Sequence, residues 1–322
     1  MKLPFLFAVI LLPACGGVAN PSDGDGPGDA DPGDPDVPRV LSTSPNDGAA
    51  GVAAASTITV AFSRPMDPAS VEAAWQSTDL PREGVSFAWN AASDTVVVTP
   101  AQPLELAEGT GLDPSVVPAR SYHVSIDTTA RATAGAALAA PVALAFTTQR
   151  VMTVELEPIG VLTRSMRSDG VVFGETAVTL THGDTTGNLQ LKTFVTFALP
   201  VLPSGGVAER ARLGANQNST VGVPYALGKL VARHVSAATI DAAAFTASPL
   251  GTAGALSSDA TAGAKTLDVS SEVLDDLANH AARGERTQFR LELEAATDNG
   301  ADADEARFSR SGMTLTLVYS AE

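Results

Sequence analysis

The chain has 322 residues and a formal net charge of −16, with 44% hydrophobic but only 5% aromatic residues. Such an acidic chain is repelled by nucleic acid, which binds through Lys and Arg that displace counterions, and by anionic lipid headgroups. The apolar fraction suffices for the cores of about two globular domains, and a single cysteine, Cys15, rules out an intramolecular disulfide.

Residues Met1–Ala14 (MKLPFLFAVILLPA) carry one Lys, an apolar run and then small residues. That is the pattern of a secretory signal, too short to cross a bilayer as a stable helix. The boundary Leu12-Pro13-Ala14-Cys15-Gly16 resembles a bacterial lipobox. The resemblance implies lipid on the Cys15 sulfur, cleavage before Cys15 and acylation of the new amino terminus. Two or more acyl chains hold a protein firmly to a membrane, each buried methylene contributing about 0.8 kcal/mol. An Asp after the Cys marks inner-membrane retention in some Gram-negative bacteria, and here Gly16 stands instead. The expected location is therefore the outer membrane or cell surface. Residues 15–38 complete the anchor and a tether rich in Asp, Gly and Pro, with too few apolar side chains to offset the entropy of ordering. Asp23, Asp25, Asp29 and Asp31 within it lack the fixed turn that a calcium site requires.

Residues 39–149 alternate with period two, the mark of strands with one buried face. Ile58, Val60 and Phe62 share a face, as do Val85, Phe87 and Trp89, then Val96 and Val98, then Tyr122, Val124 and Ile126, then Val142, Leu144 and Phe146. Asn46-Asp47-Gly48 and Asp67-Pro68 are turn chemistry. Roughly seven strands in about 110 residues is the size of an Ig-like sandwich. The run Ser44-Pro45-Asn46-Asp47-Gly48, with Gly51-Val52 and Thr57 through Asp67, resembles the opening of the bacterial Ig-like domains of S-layer proteins. Val97-Val98-Thr99-Pro100, Ser121-Tyr122-His123-Val124 and Phe146-Thr147-Thr148 continue it. Gly109–Val117 reads as a loop insertion. The resemblance implies a spacer or adhesion unit. Met66, Tyr122 and Trp89 are expected in the core, and His123 in solvent.

Residues 150–322 alternate as well. Leu189, Leu191, Val195, Phe197 and Leu199 share a face, and so do Met313, Leu315, Leu317 and Tyr319. Ser270 through His280 reads as one short helix with Ser270 as N-cap, Val273, Leu274 and Leu277 as its apolar stripe, and His280 at its C-terminal end. Phe194 through Leu199, Leu202-Pro203, Ala211-Arg212-Leu213, Leu267 through Ser270, Phe289-Arg290-Leu291 and Arg307-Phe308-Ser309 resemble the DNRLRE-type domains, jelly rolls akin to carbohydrate-binding modules. The name-giving hexapeptide is absent, and Phe289–Glu294 reads FRLELE. The expected fold is thus all-β, an Ig-like β-sandwich followed by a jelly-roll β-sandwich carrying one short helix.

Asp298, Asp302 and Asp304, with Glu305, form an acidic loop that offers candidate calcium ligands, though not at EF-hand spacing. The chain has no GxSxG, HExxH, P-loop or Rossmann glycine pattern, and its four histidines, His123, His182, His234 and His280, are scattered. No catalytic residue and no required cofactor are expected, and the chain is read as non-enzymatic. Two functions follow: a glycan-binding or adhesive envelope lipoprotein, or a structural lipoprotein docked to another envelope protein. A polysaccharide-degrading enzyme is the third alternative, since paired carboxylates meet only in the fold.

Overall fold

The computed structural model describes residues 36–173 and 178–322. The expected signal peptide, Cys15 and the tether as far as residue 35 lie outside the described residues. The described chain is all-β, an Ig-like sandwich followed by a jelly-roll sandwich.

The first sandwich is built from β1 (Val40–Ser44), β2 (Ala49–Val52), β3 (Ile58–Phe62), β4 (Trp75–Gln76), β5 (Val85–Trp89), β6 (Thr95–Pro100), β8 (Ser121–Ile126) and β9 (Val142–Thr148), while β7 (Ala107–Thr110) leaves it for the second. Its two sheets run β1-β3-β6-β5 and β2-β9-β8-β4. Period-two alternation turns Ile58, Val60, Phe62, Val96, Val98, Val124, Leu144 and Phe146 inward. Met66 is fully buried and packs in this core, as does Tyr122, which stacks on Phe146 at 5.5 Å. Trp89 lies half-buried on Phe62, and His123 is exposed. Asp67-Pro68 opens a helix, α1 (Pro68–Ala73), where a turn was expected. The Asp67 carboxylate accepts the Ala69 N–H at 3.2 Å, and proline at the first helical position has no N–H to lose.

The second sandwich comprises β10 (Arg150–Leu156), β11 (Arg164–Arg167), β12 (Val172–Phe173), β13 (Thr179–Asp184), β14 (Gln190–Ala198), β15 (Val207–Val221), β16 (Leu230–Val235), β17 (Gly251–Ser257), β18 (Gly263–Asp268), β19 (Arg286–Leu293) and β20 (Asp304–Ala321). One side runs β17-β16-β19-β14, the other β18-β15-β20-β10, and β13 joins them by pairing with both β14 and β20. Val195, Phe197, Leu213, Phe289, Leu291, Phe308, Leu315 and Leu317 fill the space between. Truncating one of these buried phenylalanines to Ala would cost about 3–5 kcal/mol.

Two helices accompany these strands where one was expected: α2 (Ala242–Thr246) and α3 (Ser270–Ala278). Ser270 is the first residue of α3, not its cap. Its amide donates to Asp268 at 2.9 Å, and its hydroxyl accepts the Ala211 N–H at 2.9 Å, which docks α3 on β15. His280 lies past the helix end, with Nε2 3.0 Å from the Leu199 carbonyl.

The expected loop insertion at 109–117 begins as part of β7, and β7 belongs to the second sandwich. It pairs in parallel with β10, Ala107 opposite Arg150 through Thr110 opposite Thr153. The Gly111 N–H donates to Thr153 O at 2.9 Å, Arg150 Nε to Val117 O at 2.5 Å, and the Tyr319 hydroxyl to Gly111 O at 3.1 Å. Gly109 permits this approach, because a Cβ there would overlap Val117 Cγ2 and meet Met152 Sδ at 3.0 Å. With only Gln149 between β9 and β10, the two sandwiches are joined twice.

Candidate functional site

The aspartates singled out in the sequence do not converge. Asp298 and Asp302 are exposed, and the Asp298 carboxylate accepts the Gly300 N–H of its own turn at 2.6 Å. Asp304 is buried, receives the Val223 N–H, and gives its own N–H to Asp184 at 3.2 Å. Asp304 thus stitches the start of β20 to its neighbours. Asp184 faces it because Gly183 adopts φ 127°, and a Cβ at that position would overlap the Asp304 carbonyl.

One His/Asp cluster with ligand spacing occurs among the described residues: His234, Asp275 and Asp276. His234 Nε2 lies 2.8 Å from Asp276 Oδ2, both buried. Arg283 fills the place a cation would take, with Nε 3.1 Å from Asp276 Oδ1 and Nη2 3.0 Å from Asp275 Oδ2. The cluster pins α3 against β16. Its members lie about forty residues apart in sequence and meet only through the fold, so spacing rules could not reveal it.

A hollow of about 670 Å³ lies on the first sandwich beside the two-residue β4, and the polar groups in and next to it serve the backbone. Ser77 Oγ donates to His123 O at 2.6 Å, Asp79 accepts the His123 N–H at 2.8 Å, and Asp47 accepts the Ala145 N–H at 2.8 Å. Side chains here stand in for the missing length of edge strand.

A different groove, of about 560 Å³, opens on the second sandwich where β13 parts from β14. Register assembles it. Arg167 on β11 stands opposite Leu191 on β14, which stands opposite Gly183 on β13. Thr181 stands opposite Arg307 on β20, which stands opposite Ser219 on β15. Two buried hydroxyls hold the base together: Ser165 Oγ and Thr193 Oγ1 lie 2.8 Å apart, Ser165 accepts the Thr181 N–H at 3.1 Å, and Thr193 donates to Thr181 O at 3.2 Å. Thr179, Thr185 and Asn218 add further hydroxyl and amide groups to the lining. Phe173, 38% exposed on β12, supplies an aromatic ring at the wall.

Both arginines of the groove are paired with carboxylates. Arg167 Nε and Nη2 reach Asp169 Oδ1 and Oδ2 at 2.9 and 2.6 Å, and those bonds hold the Asp169 carboxyl below its ordinary range. Arg307 Nε and Nη2 both donate to Glu305 Oε2, at 2.9 and 2.6 Å. The groove combines one exposed ring, paired charges and several hydroxyls. It can accept and donate hydrogen bonds to a polyhydroxylated ligand while stacking against its apolar face.

Comparison with known proteins bears on the first sandwich. Residues 34–148 match the family model of the bacterial Ig-like domain, in agreement with the resemblance read from residues 44–67. No curated protein matches the sequence. Among solved structures, an L,D-transpeptidase from Mycobacterium smegmatis is similar at 17% identity over 54% of this chain and 64% of its own, with a TM-score of 0.25. Domains 1–6 of the surface layer protein SbsC are similar at 15% identity over 72% of this chain and 33% of their own, with a TM-score of 0.24. SGBP-B from a complex xyloglucan utilization locus in Bacteroides uniformis is similar at 10% identity over 86% of this chain and 72% of its own, with a TM-score of 0.23.

Proposed function

We propose that this chain is a non-catalytic lipoprotein of the bacterial envelope, anchored through Cys15, whose second sandwich binds polysaccharide in the groove between Phe173 and Arg307. The observation that carries the reading is the groove itself, an exposed aromatic ring beside hydroxyl, amide and paired guanidinium–carboxylate groups on a rigid sheet. The DNRLRE-like strands of residues 150–322 agree with it, as does the Ig-like domain placed between tether and binding unit as a spacer. Non-catalytic action is supported by the carboxylates that pair with the groove's two arginines. Asp169 and Glu305 are each held by an arginine, so neither stands as a proton donor for glycoside cleavage.

Affinity electrophoresis of the full chain through gels containing polysaccharides tests this. Retardation by at least one polymer, lost in Phe173→Ala, is the expected result. No retardation by any polymer removes the glycan reading and leaves the structural one, which the double connection between the sandwiches favours: a stalk needs a stiff joint.

A further inference from the structure

We infer that the groove selects neutral polysaccharides and rejects polyuronates, because each of its cations is already neutralised by a carboxylate of the protein. This rests on the glycan reading above and narrows it to a chemical class.

Recognition of a uronate or sulfated sugar uses a guanidinium or ammonium that is open to the ligand's anion. In the groove, Asp169 takes two donors of Arg167, and Glu305 takes two donors of Arg307. A ligand carboxylate entering there would meet Glu305 in the lining, and each arginine it approached would already have its charge offset by a protein carboxylate, Asp169 for Arg167 and Glu305 for Arg307. The surrounding field adds to the penalty, since the chain carries a formal net charge of −16. A sugar hydroxyl faces no such cost. It donates to the free lone pairs of Glu305 and accepts from the remaining guanidinium N–H groups, from Asn218 and from Thr181. The Phe173 ring gives the C–H face of a pyranose its apolar contact. The paired carboxylates therefore act as a charge filter as well as hydroxyl acceptors, which is selection by repulsion of the wrong ligand.

The filter can be inverted. Asp169→Asn and Glu305→Gln keep the side-chain volumes but release Arg167 and Arg307 from their anions. Asp169 lies in a turn, and Glu305 is partly exposed on β20, so both variants are expected to fold; circular dichroism melts check this. The measurement is affinity electrophoresis of the full chain against galactomannan, xyloglucan and mixed-linkage β-glucan as neutral probes and polygalacturonate as the anionic one, at about 20 mM and about 300 mM NaCl. The wild type is expected to be retarded by a neutral polymer equally at both salts and to ignore polygalacturonate. The double variant is expected to gain polygalacturonate retardation at low salt and to lose it at high salt. Salt-sensitive retardation of the wild type by polygalacturonate would overturn the inference while leaving a glycan-binding groove in place. So would a double variant that still ignores polygalacturonate. Retardation by no polymer would remove the glycan reading and the inference together.

Discussion

Two arginine-rich regions of the second sandwich are built differently. On the face covered by α2, Glu292 is met by Lys192 Nζ at 2.9 Å, Arg290 Nε at 3.0 Å and Arg233 Nε at 3.2 Å. Burial pushes the Glu292 carboxyl up, but the bond from Lys192 and the charges of Arg290 and Lys192 outweigh it and hold the group below its ordinary range. Arg290 also donates Nη1 to the carbonyls of Ala244, Phe245 and Ala247, and Lys192 donates to Phe245 O and lies 4.4 Å over the Phe245 ring. These cations anchor α2 to the sheet, and α2 covers them. In the groove, each arginine meets one carboxylate, and Arg307 keeps 41% of its side-chain surface in solvent. The difference separates a charge cluster that stabilises from one that faces a ligand: donors spent on buried carbonyls against donors left at an open wall.

The comparison breaks first at its carboxylates. Glu292→Ala leaves three cations around a site only 12% exposed, and it is expected to lower stability by about 3–5 kcal/mol in urea unfolding. Glu305→Ala leaves one cation rather than three, and that cation, Arg307, keeps 41% of its side chain in solvent although Glu305 itself is 16% exposed, so the expected cost is smaller, about 1 kcal/mol. Equal losses would mean that the two clusters are the same kind of structure.

Beside the groove, His182 points into the core, with Nδ1 3.3 Å from Ala306 O and its ring edge-on to Phe308 at 5.3 Å. Burial, partly offset by that backbone bond, holds it down to about 4 from an ordinary 6.5. The unfolded chain binds this proton more readily, so the contribution is complete above pH 6.5 and is lost as pH falls toward 4. The loss amounts to roughly 3 kcal/mol at the lower end. Urea melts of the wild type and His182→Gln across that range should converge as the pH falls; a constant gap would contradict the assignment.

The joint between the sandwiches gives a smaller effect of a different kind. Gly109→Val would push β7 off Met152 and Val117, with an expected loss of about 1–3 kcal/mol. Calorimetry should then resolve two transitions where the wild type shows one. A single transition in the variant would mean that β7 does not couple the two units.

Period-two alternation alone located most strands of the first sandwich and, in the second, marked β14 and β20, because one face of each meets a core. It missed what depends on pairing across distance. β7 reads as a loop because its partner, β10, lies about forty residues on and the four paired residues carry little apolar signal. Asp67-Pro68 is equally suited to a turn or a helix start, and packing of Val71 in the core decides for the helix. The groove was not legible at all. Arg167, Thr181, Ser219 and Arg307 come from four strands, and only register sets them side by side. The aspartates of the 298–305 loop were conspicuous in sequence because they are close along the chain, yet Asp304 turns inward while Asp298 and Asp302 stay in solvent.

The most direct test of a glycan-binding groove is isothermal titration calorimetry of the full chain and of Phe173→Ala against the neutral polymer that retards the wild type most. Loss of the ring's stacking face should weaken binding by about tenfold or more with the melting temperature little changed. Equal affinity in the two proteins would place the ligand elsewhere and contradict the assignment of the groove.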